Sequence, residues 1–109
     1  MSSQAGDVAD VAEPDPADRV AAAVLAVPGV HGLHAGVHGE VATYLPGRRV
    51  NGVRVRGPGW DVHVVLAWAA PVADTAELVR RSVRGLVGGP VDVTVEDVAP
   101  PTVLPGPTP

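Results

Sequence analysis

Trp60-Asp61-Val62-His63-Val64-Val65-Leu66-Ala67-Trp68 is the stretch on which the fold turns. Trp60, Val62, Val64, Leu66 and Trp68 alternate with Asp61, His63, Val65 and Ala67, and a period of two belongs to a β-strand. Its second half is apolar on both faces, which predicts a place in the centre of a sheet. Before it, residues 50–56 predict another strand, with Val53 and Val55 on one face and Arg54 and Arg56 on the other. Gly57-Pro58-Gly59 joins the two as a hairpin connection. After it the period changes. Val72, Ala76, Val79, Val83 and Leu86 recur at spacings of four and three, which predicts an amphipathic helix over 72–87. Arg80, Arg81 and Arg84 lie off that stripe, and Glu77 is placed to pair with Arg81 one turn on. Gly88-Gly89-Pro90 stops the helix. Residues 91–98 alternate again, Val91, Val93 and Val95 against Asp92, Thr94 and Glu96, and predict the last strand.

Towards the N-terminus, Asp15-Pro16-Ala17-Asp18 is a helix start: Asp15 caps, Pro16 suits the first helical position, and Asp18 favours the positive helix end. Val20, Val24 and Val27 make one apolar stripe, and Pro28 ends the helix because it disfavours the helical region before it. Gly32, Gly36 and Gly39 break the next stretch, 30–45, into short pieces. Strands are expected near 31–37 and 40–45, with Pro46-Gly47 as a turn. Residues 1–14 are Ala-rich and acidic and predict a disordered tail. Residues 99–109 hold five prolines without a P-x-x-P and predict a second one. The order of helix, strands, helix and strand predicts one α+β domain over 15–98. It is a two-layer arrangement, a mainly antiparallel sheet with two helices on one face.

Composition narrows the function. The 109 residues contain no cysteine, which excludes disulfides, thiolate metal sites and a Cys nucleophile. All eight basic residues are Arg, so neither a Schiff-base lysine nor a P-loop lysine exists. A net charge of −4 and only three aromatic residues, two Trp and one Tyr, argue against nucleic acid as a partner. Met1-Ser-Ser-Gln-Ala-Gly-Asp7 has neither a basic nor an apolar signal region. The longest apolar runs, near 20–30 and 64–73, are far short of the ~20 residues that span a bilayer.

The candidate chemistry is sparse. His31, His34 and His38 would share one helix face, but the glycines among them oppose a helix. On a strand His34 and His38 stand about 13 Å apart at ~3.3 Å per residue, too far for one metal. Only a loop would gather them. Ser2, Ser3 and Ser82 lie in no strand-to-helix elbow. The carboxylate pairs Asp92 with Glu96 and Asp61 with Glu40 read more simply as solvated surface. No catalytic residue, metal ligand or cofactor is therefore assigned. Arg48, Arg49, Arg54 and Arg56 form the one basic concentration outside the second helix. They are the candidate protein-contact surface, suited to an acidic partner, a phosphate or an anionic lipid surface.

Five segments carry a resemblance. They are Val27-Pro28-Gly29-Val30, Asn51-Gly52-Val53-Arg54-Val55, Asp61-Val62-His63-Val64-Val65-Leu66, Val79-Arg80-Arg81-Ser82-Val83 and Val91-Asp92-Val93-Thr94-Val95. Over residues 17–98 the chain resembles the alkaline shock protein family of the envelope stress response. The segment 37–49, with Tyr44-Leu45-Pro46-Gly47-Arg48-Arg49, departs from the family pattern. The resemblance implies a cytoplasmic, non-enzymatic scaffold without a cofactor. It implies self-association, a position near the membrane through a small integral-membrane anchor protein, and a part in envelope homeostasis. It transfers no site residues. The alternative, from the residues alone, is a small metal- or anion-binding protein using His31, His34 and His38 or the Arg48 to Arg56 patch.

Overall fold

The computed structural model of the protein describes residues 14–101. The tails expected at 1–14 and 99–109 fall, but for residue 14 and residues 99–101, outside the described residues. Helix α1 spans Pro16–Leu25. The short strands β1 (Val30–Leu33), β2 (Ala42–Leu45), β3 (Arg48–Asn51) and β4 (Val53–Arg56) come next. The long β5 (Gly59–Leu66), helix α2 (Val72–Val87) and β6 (Val91–Val98) complete the chain.

A reciprocal cap starts α1. The Asp15 carboxylate accepts from the Ala17 amide at 2.9 Å, and Asp18 accepts from the Asp15 amide at 3.2 Å. Pro16 lacks an amide that the first turn would leave unpaired anyway. Ala17, Val20, Ala21 and Val24 are buried, and Val27 stays in the core after the helix has ended.

β5 is the central strand. β4 runs antiparallel against its first half, with Val53 opposite Val62 and Arg54 opposite Asp61. β1 runs antiparallel against its second half on the same edge, with Leu33 opposite Val64. β6 lies along the other edge and is parallel, from Trp60 opposite Val91 to Leu66 opposite Val98. A parallel neighbour needs a crossover, and α2 supplies it. The other pairings, including the separate β2–β3 hairpin, are antiparallel. Val62, Val64 and Leu66 on one face of β5 are fully buried with Val20 and Val24 of α1 and Val79 and Val83 of α2. The core is thus built on valine. Burying each such side chain contributes roughly 1.5–3 kcal/mol before the entropy of ordering it.

Several boundaries differ from expectation. The strand over 50–56 is two strands, divided at Gly52, whose φ is +86°. Its amide donates to the Val41 carbonyl and its carbonyl accepts from the His63 amide, at 2.8 and 2.9 Å. A Cβ there would stand 2.7 Å from Leu33 Cβ and 3.0 Å from the His34 amide nitrogen. Only glycine lets β3 pass into β4 so close to the end of β1. β1 stops at Leu33 rather than near 37, and β2 starts at Ala42 rather than 40. The intervening loop closes on itself, with the Val41 amide on the Ala35 carbonyl at 2.8 Å. β5 ends at Leu66, so Trp68 lies in the connection to α2, 60% exposed. The bounds of α2 match, but its buried stripe is Thr75, Val79 and Val83. Val72 and Leu86 are about half exposed. At sixteen residues α2 is longer than the ten-residue α1, and its end turns still reach the core through Thr75 and Val87.

Candidate functional site

The face of the sheet turned away from Val62, Val64 and Leu66 carries most of the ionisable residues of the strands. Because β4 and β6 flank β5 in the registers given, Arg54, Asp61 and Asp92 form one row across three strands. Two arginines answer the buried one of these two carboxylates, Asp61. Arg54 Nε and Arg56 Nη1 both donate to Asp61 Oδ2, at 3.2 and 3.0 Å. Asp61 is only 3% exposed. Burial pushes its carboxyl up, but the hydrogen bonds and charges of Arg56 and Arg54 prevail and hold it below the usual range. Arg56 is raised in turn by Asp61, with a smaller contribution from Asp92. Arg54 also donates to the Glu40 carbonyl at 3.2 Å, which ties the 34–41 loop to the sheet. The Glu40 carboxylate accepts the His38 amide at 2.9 Å, and amide hydrogen bonds from Glu40 itself and His38 lower its pKa.

A second side-chain contact crosses β5 and β6. His63 Nδ1 lies 2.5 Å from Glu96 Oε2, beside the register shift after Val64. A third ties the hairpin to α1. Arg48 donates twice to Asp18, at 2.8 Å each, and the hydrogen bond lowers the Asp18 carboxyl. Asp18 therefore both caps α1 and anchors β3.

The arginine patch expected from the sequence is thereby resolved into parts. Arg54 and Arg56 share one clasp, and Arg48 faces α1. Arg49 is exposed, its guanidinium carbon 5.9 Å from the Tyr44 ring centroid and its Nη1 3.3 Å from the Tyr44 hydroxyl. Among the described residues it has no carboxylate partner. Asp92 and Glu96 do not meet Arg54 and Arg56 in ion pairs: Asp61 takes both arginines and His63 takes Glu96. On α2, Glu77 pairs with Arg80 as well as with Arg81, the latter at 3.9 Å.

The histidine segment does not gather. His34 Nδ1 accepts the Gly36 amide at 2.9 Å. Among the described residues no three His, Asp or Glu side chains come together in a group able to hold a metal ion. Ser82 is half-buried on α2.

Sequence reasoning missed the burial of Asp61, though its signal was present. A two-residue turn between an Arg-x-Arg strand and a strand with one acid in its apolar run sets Arg54 against Asp61. The pairing of Tyr44 with Arg49 arises similarly from the Pro46-Gly47 turn, which puts the two opposite each other. The His63–Glu96 contact has no such local signal, because it depends on the parallel register.

Apolar side chains also reach the surface. Trp68, Val72 and Val98 are 60%, 51% and 37% exposed, all at the end of the sheet where β5 and β6 finish. No protein-family model, curated protein or solved structure matches the chain. Among the described residues no helix is long and apolar enough to cross a membrane.

Proposed function

We propose that this protein is a non-catalytic interaction domain of the alkaline-shock type. It self-associates and is held at the inner face of the cell membrane by a small integral-membrane partner, in the service of envelope stress homeostasis. The observation that carries the reading is the apolar end of the sheet. Trp68 stands exposed in an uncharged run, 67–73, with Val72 beside it in sequence and Val98 closing the neighbouring strand. A ring held out on a short connection between two ordered elements is the kind of anchor that dominates protein contacts. The side-chain contacts between elements support the same reading. Asp61 with Arg54 and Arg56, Asp18 with Arg48, and Glu96 with His63 each tie one element to another. They are structural ties, and the residue-level family resemblance likewise implies contact rather than chemistry.

The test is fractionation of host cells with cross-linking of the full chain. Recovery in the membrane fraction, cross-linked to a small integral-membrane protein and lost in Trp68→Ala, is the expected result. A chain that stays in the soluble fraction with no cross-linked partner refutes the membrane role.

A further inference from the structure

Opposite charges are kept on different strands. The separate β2–β3 hairpin holds Arg48 and Arg49 and β4 holds Arg54 and Arg56, with no carboxylate among them, while β6 holds Asp92, Glu96 and Asp97 and no base. β4 and β6 pair with opposite edges of β5, and the hairpin lies outside that sheet. Contacts inside the chain engage part of each. Arg48 is taken by Asp18, Arg54 and Arg56 by Asp61, and Glu96 by His63. What remains is Arg49 beside Tyr44 on the hairpin, and Asp97 with Asp92 on β6. All four are exposed. Asp97 Oδ1 accepts its neighbour Val98's amide at 2.8 Å. Asp92 has no ion pair among the described residues, although Arg56 feels its charge.

Two further observations point to a protein as the occupant. Among the described residues β6 pairs with no strand but β5, although Arg80 Nε donates to the Val91 carbonyl at one end and Asp97 Oδ1 holds the Val98 amide at the other. Tyr44 and Arg49 are held together by a hydrogen bond and belong to the two residue types most enriched at interface anchors after Trp.

We infer that copies of this chain meet head to tail, the Tyr44–Arg49 pair of one seated against the Asp97 end of the β6 edge of the next. This deepens the self-association in the scaffold reading and rests on it. A two-fold pairing of β6 with its own copy would set Asp92, Glu96 and Asp97 against the same three acids, and like charges in register oppose that arrangement. The Tyr44–Arg49 pair of the β2–β3 hairpin is the complementary surface. Because the contact joins two different patches, each added copy leaves one of each exposed, and growth is open-ended unless rotation closes a ring.

The experiment is sedimentation velocity on the full chain, over a range of concentrations, in low and in high salt. The expected result is a mass above the 11.0 kDa of one chain, rising with concentration and falling with salt as exposed charges are screened. Arg49→Glu and Asp97→Arg should each raise the apparent dissociation constant roughly tenfold or more. An equimolar mixture of the two variants should associate again, since the reversed acid of one then faces the reversed base of the other. Arg49→Lys, which keeps the charge and loses the planar fork, should fall between. Both sites are exposed, and unchanged far-UV circular dichroism verifies the fold. Assembly that strengthens with salt, ignores both reversals, or is not regained in the mixture overturns the inference, as does a wild-type chain monomeric throughout. A monomer that still fractionates with membranes would sink this contact and spare the membrane role. Assembly through this contact without membrane recovery would do the reverse.

Discussion

Replacing Asp61 with Asn keeps the shape of the side chain and removes the charge that Arg54 and Arg56 share. The variant leaves two guanidinium groups converging on a neutral amide in a nearly closed position. A hydrogen bond to a charged group contributes about 1.5–3 kcal/mol. Both bonds here end on one oxygen, and the Arg54 and Arg56 side chains are 31% and 68% exposed, so solvent screens part of each. The loss should therefore total about 2–3 kcal/mol. For a domain of this size each kcal/mol moves Tm by about 4–8 °C, so thermal unfolding followed by circular dichroism at pH 7 should fall by about 10–20 °C. The acid side gives an independent check. The folded carboxyl is held below its unfolded value, so the unfolded chain binds the proton first as pH falls. The stabilisation is complete above the unfolded value near 3.9 and is lost as pH falls through the folded value beneath it. Asp18 and Glu40 titrate in the same direction, so the measured quantity is the difference between wild type and variant. That difference should shrink across this window. A variant within about 3 °C of wild type at pH 7, or a gap that does not change on acidification, would refute the clasp.

Gly52→Ala should cost roughly 2–3 kcal/mol in urea unfolding, because φ is +86° there and the new Cβ meets Leu33 and the His34 amide. Gly32→Ala is the matched control: a Cβ at Gly32 meets nothing within 4 Å, and its midpoint should stay within about 0.5 kcal/mol of wild type. Leu66→Ala removes a fully buried side chain from the central strand and should cost about 2–5 kcal/mol. Leu86→Ala, on the same helix stripe by sequence but 49% exposed, should cost about 1 kcal/mol or less. Equal effects at the two leucines would show that α2 is covered along its whole length.

The parts of the fold that sequence makes legible are those bounded by strong local punctuation. Pro71 before α2 and Gly88-Gly89-Pro90 after it leave little choice of helix ends, and α2 runs Val72–Val87 as its period predicts. The turns at Pro46-Gly47 and at Gly57-Pro58 likewise fix two hairpins. What escaped depends on contacts made far along the chain. The residues of 50–56 alternate as one strand would, and nothing local shows that Leu33 and His63 crowd Gly52 into dividing it. Val72 and Leu86 keep helical spacing with Val79 and Val83, yet they stand about half exposed while Thr75 and Val87 of the same end turns reach the core. At the candidate site the residue types were visible and the partnerships were not. Four arginines close in sequence look like one patch, but pleating and the hairpin turns send them to Asp18, Tyr44 and Asp61.

The parallel pairing of β5 with β6 has a consequence for the birth of the molecule. Every other partner of β5 lies before it in the chain, whereas β6 arrives only after the whole of α2. On the ribosome, where domains emerge from the N-terminus, the hairpin of β4 and β5 can close while α2 is still inside the exit tunnel. The second edge of β5 must wait until Val98 has cleared the exit tunnel. Until then the backbone of β5 from Trp60 to Leu66 is open on one side, in the nascent chain's most apolar strand. Loop closure across a helix is also slower than across a two-residue turn. The interval between those two events is therefore when this polypeptide is most exposed to misassociation and to capture by chaperones.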